Sequence, residues 1–285
     1  MIRVKQLSYQ YPKAKNDTLH NLDFHVGAGE IFGFLGPSGA GKSTTQAILT
    51  RQTRSPFRGS VFILGKDLGS WGREIFNKIG VSFELPNHYL KLTAKENLDL
   101  FASLYENPVY KSSELLEMVG LSDDAAKKVG EFSKGMKMRL NFVRSLLHDP
   151  ELLFFDEPTS GLDPSNARNI KDIILDLKSR GKTIFLTTHN MTDADELCDQ
   201  VAFLVDGSIR LIDSPKELKL RFGKKSVKVE FIKNNKIQES SFELSHLGSN
   251  RDFLDILQKQ EVRTIHTEEA TLDEIFIETT GRKLQ

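Results

Sequence analysis

The sequence predicts an α/β fold built on a mostly parallel sheet, and two features carry that prediction. From Leu152 onward, short apolar runs alternate with amphipathic stretches, which is the pattern of strands joined by covering helices. Earlier in the chain, the apolar run 31–35 ends in a glycine cluster before an amphipathic stretch, which indicates a strand, a tight loop and a helix. The 285 residues are 39% hydrophobic, which is enough to bury a sizeable core.

The individual elements follow from the spacing of apolar residues. Apolar and polar residues alternate at 2–7 and again at 22–26, as they do in half-buried strands. Between residues 85 and 148, apolar residues recur at helical spacing, which predicts a helical segment. Beyond it we expect a strand at 152–155, a helix at 165–180, a strand at 183–187, a helix at 193–199 and a strand at 201–205.

A change of pattern near residue 222 predicts a domain boundary. Pro215 and the polar stretch 222–225 interrupt the strand and helix alternation, and period-two alternation resumes at Val227. Further on, Thr271 and Glu274 have the spacing of a helix capping box. The domains that we expect are a large one over 1–222, containing a helical subdomain at about 85–150, and a small α+β domain over 223–285.

Composition argues against several classes of protein. The 39 Lys and Arg residues balance 39 Asp and Glu residues, so we expect no nucleic-acid partner. No apolar run approaches the roughly 18 residues that cross a bilayer, and no secretion signal is visible. The single cysteine, Cys198, forbids a disulfide within the chain and fits a reducing cytoplasm. We therefore expect a cytoplasmic protein that does not itself span a membrane.

A phosphate-binding loop is the clearest functional motif. Residues 36–43 read Gly-Pro-Ser-Gly-Ala-Gly-Lys-Ser and fit the pattern G-x4-G-K-[ST] at every fixed position. In such a loop the backbone N–H groups surround a phosphate chain, Lys42 reaches the β and γ phosphates, and the Ser43 hydroxyl can hold magnesium. The residues predicted to bind the nucleotide here are Gly36, Ser38, Gly39, Ala40, Gly41, Lys42, Ser43 and Thr44. The motif predicts a nucleoside triphosphate site.

Two adjacent carboxylates follow the buried strand predicted at 152–155. Phosphoryl transfer to water needs an acidic element that holds magnesium and the attacking water opposite the phosphate loop. Asp156 suits the metal-facing position, and Glu157 suits the general base that acts on the water. An acidic pair alone often only caps the next helix. Combined with the phosphate loop, it predicts an ATPase site.

With these motifs in place, the sequence resembles the ATP-binding cassette family, the ATPase subunits of transporters. Ser133 and Gly135 lie where that family has its signature loop, and Asp163 lies where it has its D-loop. His189 closes a predicted strand in the position of the family's switch histidine. Tyr11 matches the aromatic residue on which the adenine stacks, although a core role like that of a neighbouring strand tyrosine is the alternative. The resemblance therefore implies nucleotide contacts for Tyr11, Ser133, Gly135 and Asp163, and a catalytic role for His189.

The sequence departs from the family pattern at two places. Glu84 stands where the family usually has Gln, and the signature reads Phe-Ser-Lys-Gly-Met instead of Leu-Ser-Gly-Gly-Gln. No glutamine lies between Gln52 and Gln200, so a shifted alignment repairs neither departure. By its position Glu84 is a predicted magnesium ligand together with Ser43 and Asp156; the alternative is that its side chain points into solvent.

The resemblance covers roughly residues 1–218 and implies both the fold and a function. The expected fold is a phosphate-loop NTPase core, with an antiparallel N-terminal sheet and an inserted helical subdomain. The expected function is that of the ATP-hydrolysing subunit of an exporter of the drug and antibiotic-resistance branch, since residues 269–281 are similar to the tail of such subunits. Two alternatives remain open: a non-transport cassette ATPase and a nucleotide-regulated binding module.

The family's geometry also implies partners and cofactors. ATP and magnesium are the expected cofactors, and a head-to-tail homodimer is the expected ATP-bound state. The expected membrane partner is a separate permease chain, which places the protein peripherally on the cytoplasmic face of the cell membrane. The segment 86–105 borders the expected docking site for that partner, and His88 and Tyr89 are the contact positions that we expect there.

Overall fold

Strands and helices alternate along the residues that the computed structural model describes, which are 1–53, 55–106, 108–223, 226–234, 236–268 and 270–282. The strands are β1 (Ile2–Tyr9), β2 (Leu19–Val26), β3 (Ile31–Leu35), β4 (Arg58–Ile63), β5 (Lys66–Asp67), β6 (Ile79–Ser82), β7 (Leu152–Asp156), β8 (Thr183–Thr188), β9 (Gln200–Val205), β10 (Ser208–Asp213), β11 (Ser226–Lys233), β12 (Lys236–Glu243) and β13 (Glu261–Thr267). The helices are α1 (Lys42–Leu49), α2 (Ala94–Ala102), α3 (Ser112–Met118), α4 (Lys134–Arg144), α5 (Pro164–Ser179), α6 (Met191–Leu197), α7 (Pro215–Phe222), α8 (Arg251–Lys259) and α9 (Leu272–Thr280).

A six-stranded sheet with the order β10-β9-β3-β8-β7-β6 lies at the centre of the larger unit, Met1–Ser214. Its neighbours pair in parallel except at the edge, where β10 runs antiparallel to β9. β3, β7 and β8 are buried along their whole length, as expected for parallel strands covered on both faces. The predicted α/β class is confirmed. The carboxyl ends of β3, β7 and β8 meet at one edge, where the predicted chemistry-bearing motifs follow them.

An antiparallel sheet with the order β2-β1-β4-β5 adds a second layer, as the sequence predicts. Phenylalanines from both sheets form one core: the Phe24 and Phe32 ring centroids lie 5.6 Å apart, and those of Phe34 and Phe185 lie 5.4 Å apart. Burying one such side chain stabilises the fold by about 1.5–3 kcal/mol. This core supports the strand from which the phosphate loop emerges.

The inserted segment contains α2, α3 and α4, in agreement with its helical spacing. α2 begins at a capping box, in which the Thr93 hydroxyl accepts from the Glu96 N–H at 3.2 Å and the Glu96 carboxylate accepts from the Thr93 N–H at 2.8 Å. α4 begins after Ser133, whose hydroxyl caps it. The two predicted signature residues therefore lie at the amino end of α4.

The smaller unit, Pro215–Arg282, has a three-stranded antiparallel sheet with the order β12-β11-β13. Val229 and Phe231 of β11 pack with Phe253 of α8 in a hydrophobic cluster. α9 begins with the capping box predicted from the sequence; Glu269, the first residue of the exporter-like tail, lies outside the described residues. The division between the units precedes α7, whereas the change in composition marked the position after it. No helix of the described residues is long and apolar enough to cross a bilayer.

Candidate functional site

The phosphate loop connects the buried strand β3 to helix α1. Gly41 precedes α1 with φ 109°, in the left-handed region that favours glycine. Gly36 is constrained by space: a Cβ there would lie 2.2 Å from the Leu204 carbonyl oxygen. The loop therefore requires glycine at both fixed positions, for two different reasons.

Lys42 is folded back onto this loop. Its Nζ donates hydrogen bonds to the carbonyl oxygens of Gly36 at 2.6 Å and of Pro37 at 3.1 Å. Burial lowers the pKa of Lys42, and the negative charges of Glu157, Asp156 and Glu84 act against that lowering. The ammonium group is thus held, largely out of water, beside three carboxylates.

A cavity of about 580 Å³ opens in front of the loop. Its lining residues are Thr18, Ser38, Gly39, Ala40, Gly41, Lys42, Ser43, Thr44, Glu84, Asp156, Glu157 and His189. All of these residues except Thr18 were predicted from the sequence, so the structure brings eleven predicted residues together. Thr18 was missed, because an isolated threonine in a polar loop before β2 carries no motif.

Asp156 ends β7 with its carboxylate buried in this cavity. The Thr187 hydroxyl donates a hydrogen bond to it. Burial raises the pKa of Asp156, and the charges of Glu84 and Glu157 add to the rise, while hydrogen bonds from Thr187 and Ser43 oppose it. A cation bound beside Asp156 would relieve this crowding of negative charge.

Glu157 is held in place by three hydrogen bonds from the end of β8. Its Oε1 atom accepts from the His189 backbone N–H at 2.9 Å and lies 2.6 Å from the His189 Nδ1 atom, and its Oε2 atom accepts from the Thr188 hydroxyl at 3.1 Å. The Glu157 side chain is 7% exposed and the His189 side chain 58%. The backbone of Glu157 has φ 49°, which is uncommon for a residue other than glycine. This buried carboxylate is fixed in orientation and faces the cavity beside an accessible imidazole.

Glu84 enters the cavity from the exposed segment after β6. Together with Ser43 and Asp156 it also lines an adjoining cavity of about 390 Å³, to which Gln52 contributes. Within the described residues, no group of three or more His, Cys, Asp or Glu side chains is placed to hold a metal ion. Magnesium at a phosphate site needs only one or two carboxylates, with phosphate oxygens and water completing its shell. The hydroxyl and carboxylate oxygens here fit such an ion bound together with a nucleotide.

Tyr11 lies beyond the end of β1, next to the phosphate-loop helix. Its hydroxyl is hydrogen-bonded to the Thr44 hydroxyl at 3.0 Å, and its ring meets the Tyr9 ring edge-on, with centroids 5.0 Å apart. The Tyr11 residue is 43% exposed, whereas Tyr9 is 2% exposed. Tyr9 is therefore the core tyrosine, and Tyr11 presents an accessible ring beside the loop.

The remaining three predicted residues lie away from this cavity's lining. The Ser133 hydroxyl accepts from the Met136 N–H at 3.2 Å and caps α4, and Asp163 caps α5 by accepting from the Asn166 N–H at 3.0 Å. A Cβ at Gly135 would lie 3.4 Å from the Leu162 side chain, so the signature loop packs against the loop that leads to Asp163. The structure thus places the predicted residues in two groups. One surrounds the phosphate loop, and the other consists of Ser133, Gly135 and Asp163.

Comparison with known proteins agrees with this geometry. Residues 19–160 match the family described as ABC transporter, and residues 225–269 match the fluoroquinolone efflux ABC transporter C-terminal domain. The chain is 54% identical to a fluoroquinolones export ATP-binding protein of Mycobacterium tuberculosis (strain H37Rv), over 100% of this chain and 94% of the relative. It is 33% identical to the bacitracin transport ATP-binding protein BcrA of Bacillus licheniformis, over 99% of this chain and 97% of the relative.

Solved structures show the same architecture. A dimeric ATP-binding cassette in a post-hydrolysis state, bound to ADP and Pi, superposes with a TM-score of 0.69 at 26% identity, covering 75% of this chain and 98% of that one. A second, an ATP-binding subunit of an ABC transporter, superposes with a TM-score of 0.70 at 29% identity, covering 78% and 93%. Together with the phosphate loop and the acidic pair, these likenesses identify the chain as a member of the ABC transporter family and an ATP-binding, ATP-hydrolysing subunit of its exporter branch.

Proposed function

We propose that this subunit drives the export of fluoroquinolones through a separate membrane-spanning chain. The observation that carries the proposal is the 54% identity to a fluoroquinolones export ATP-binding protein along the whole length of this chain. The match of residues 225–269 to a fluoroquinolone efflux C-terminal domain supports it independently of the ATP-binding motifs. The subunit would act peripherally, on the cytoplasmic face of the membrane that holds its partner.

In the ATP site, Lys42 and the N–H groups of the phosphate loop bind the phosphates, and the accessible Tyr11 ring stacks on the adenine. Ser43, Asp156 and Glu84 would hold magnesium, which when bound would supply positive charge against the phosphates. The negative charges of Glu84 and Glu157 near the buried Asp156 carboxylate support this assignment, because a cation beside Asp156 would reduce the repulsion among them.

Glu157 is the proposed general base for the attacking water. The hydrogen bonds from the end of β8 aim its carboxylate into the cavity. His189 lies 2.6 Å from that carboxylate while remaining exposed, so it orients Glu157 on one side and reaches the γ-phosphate on the other. Proton transfer by a positioned carboxylate contributes about 10²–10⁴-fold to rate.

A complete site needs two copies of the chain. Ser133, Gly135 and Asp163 are absent from the lining of the cavity that contains Lys42, although the family resemblance assigns nucleotide contacts to them. We infer that they contact the nucleotide of a second protomer in a head-to-tail homodimer. The dimeric state of the cassette that superposes on this chain supports the inference. ATP bound between the two protomers would then stabilise the dimer, and its hydrolysis would favour dissociation.

Two substitutions test this function. Glu157→Gln should retain ATP binding, lose turnover by about 10²-fold or more, and accumulate an ATP-bound dimer in size-exclusion chromatography. Lys42→Ala, the matched control, should lose affinity for ATP and stay monomeric, because a cation facing several phosphate charges is removed. Near-normal ATP turnover by Glu157→Gln would show that Glu157 is not the general base.

The export function is tested with the same variants in cells. The chain is expressed in a fluoroquinolone-sensitive host together with a candidate membrane-spanning subunit from the same organism. The unmodified pair should raise the inhibitory concentration of a fluoroquinolone, and the Glu157→Gln pair should not. Protection against bacitracin but not against fluoroquinolones would reassign the substrate class.

A further inference from the structure

One face of α4 grips the segment that carries Glu84. The Asn141 Nδ2 atom donates to the Phe83 carbonyl oxygen at 2.7 Å and to the Ser82 hydroxyl at 3.0 Å. One turn further on, Arg144 donates to the Asn87 carbonyl oxygen at 3.0 Å and to the Asn87 Oδ1 atom at 2.8 Å. The two anchors bracket three residues, Glu84 to Pro86, at both ends.

The bracket is buried and internally connected. Asn141 is 0% exposed and Arg144 is 7% exposed, and the Arg144 Nη2 atom also donates to the Asn141 Oδ1 atom at 2.8 Å. The Arg144 guanidinium lies 4.3 Å from the centroid of the Phe101 ring. Burial lowers the pKa of Arg144 to about 10, so it remains a cation at neutral pH. The Arg144 cation is buried, and its hydrogen-bond acceptors are neutral amide oxygens. Losing any of these hydrogen bonds would cost free energy, so the arrangement of Arg144, Asn87 and Asn141 is favoured over alternatives.

Two of the three bracketed residues, Glu84 and Leu85, are exposed. Leu85 is 78% exposed, and Glu84 lines the nucleotide cavity from an exposed position. An exposed carboxylate on a three-residue loop would sample many orientations if the ends of the loop were free. Fixing both ends to one helix limits those orientations to ones near Ser43 and Asp156.

We propose that Asn141 and Arg144 are positioning residues that hold Glu84 at the magnesium side of the ATP site. The proposal rests on the proposed function of Glu84 as a magnesium ligand. Because Ser133 caps the other end of α4, the same helix links Glu84 in one site to the signature residues offered to the partner's nucleotide. The two ATP sites of a dimer would then be coupled through this helix.

The test measures ATP affinity rather than turnover. For each variant, a non-hydrolysable ATP analogue is titrated once with magnesium and once with EDTA. The Kd with EDTA divided by the Kd with magnesium is called the metal ratio. Asn141→Ala should lower the metal ratio by about threefold or more, within the range seen for residues that share a network. It should lower the ratio no further in a Glu84→Gln background, because both changes remove the same effect.

Two more variants keep the test decisive. Asn87→Ala alters the exposed side of the bracket, so it should fold even if Asn141→Ala does not, and it should also lower the metal ratio. Asn97→Ala is the matched control: Asn97 is equally buried, and it bonds Tyr89 through contacts of 2.9 and 3.0 Å, outside the bracketed residues. It should lower the melting temperature and leave the metal ratio unchanged.

The outcomes separate the two proposals. A lowered metal ratio in Glu84→Gln, with unmodified ratios in Asn141→Ala and Asn87→Ala, overturns the positioning role alone. Additive effects of Asn141→Ala and Glu84→Gln overturn it as well. An unmodified ratio in Glu84→Gln overturns the magnesium role of Glu84 and, with it, the positioning role.

Discussion

Glu84 adds a third carboxylate to a cavity that already contains Asp156, Glu157 and the lysine of the phosphate loop. The glutamine usual in the family would offer a neutral oxygen to magnesium. If Glu84 takes its proposed place at the magnesium site, its carboxylate would attract magnesium more strongly and would also repel the γ-phosphate. At about 5 Å and an effective dielectric near 20, either interaction is worth roughly 3 kcal/mol per pair of unit charges, and solvent screening reduces both alike. The two interactions offset each other only while the metal is bound.

ATP binding should therefore depend strongly on magnesium. We expect Glu84→Gln to lower the metal ratio by about tenfold, the change that corresponds to about 1.4 kcal/mol. The reason is that the neutral glutamine no longer repels the γ-phosphate when magnesium is absent. Titration of both proteins with the ATP analogue, with and without magnesium, measures this. Equal metal ratios in the two proteins would show that the carboxylate does not act at the site.

Residue-scale features differ in how far the sequence reveals them. The phosphate loop and the acidic pair were predictable, because each is a local motif whose chemistry fixes residue types at fixed spacing. The bond between Asn141 and Phe83 joins residues 58 positions apart, so no local pattern announces it. The expectation that His88 is exposed is wrong: it is half-buried, its Nε2 atom is hydrogen-bonded to the Lys137 carbonyl oxygen at 2.9 Å, and burial lowers its pKa to about 4.

At the scale of elements, the segment between β6 and α3 carries a concentration of exposed apolar side chains. Leu85 is 78% exposed, Tyr89 56%, Leu90 55% and Leu104 70%. Such groupings mark interaction surfaces more often than isolated exposed apolar residues do. Tyr89 fits its predicted contact role by exposure, and Leu85 joins it as a better candidate than His88.

Cysteines placed at Leu85 and Tyr89 should crosslink to the membrane-spanning subunit when they carry a short reagent that has one thiol-reactive end and one photoreactive end. The native Cys198 does not interfere, because it is 8% exposed and burial raises its thiol pKa. A cysteine at Ile237 is the control, since that residue is 59% exposed but belongs to the smaller unit. Crosslinks from position 237 alone would move the docking surface to the C-terminal region.

At the scale of the whole molecule, class and layers were predictable but connectivity was not. Alternating strands and helices indicate a parallel sheet wherever they occur. The order β10-β9-β3-β8-β7-β6 arises from pairing between distant strands, which periodicity does not encode. The predicted bounds, 1–222 and 223–285, followed the polar stretch after α7, whereas α7 itself belongs to the smaller unit.

The larger unit should fold and bind ATP by itself. Every residue that lines the nucleotide cavity precedes Ser214, and so does the hydrophobic core that supports the phosphate loop. Truncation after Gly223 should therefore give a cooperative thermal transition and an ATP affinity within about threefold of the full chain, because it removes no residue that lines the cavity.

The smaller unit should then matter for assembly rather than for nucleotide binding. We expect the truncated chain to form less ATP-bound dimer, or to co-purify less with the membrane-spanning subunit, than the full chain does. A second truncation after Ser214 distinguishes the contribution of α7 from that of the sheet and helices that follow it. A truncated chain that unfolds or no longer binds ATP would show instead that residues beyond 223 complete the core of the larger unit.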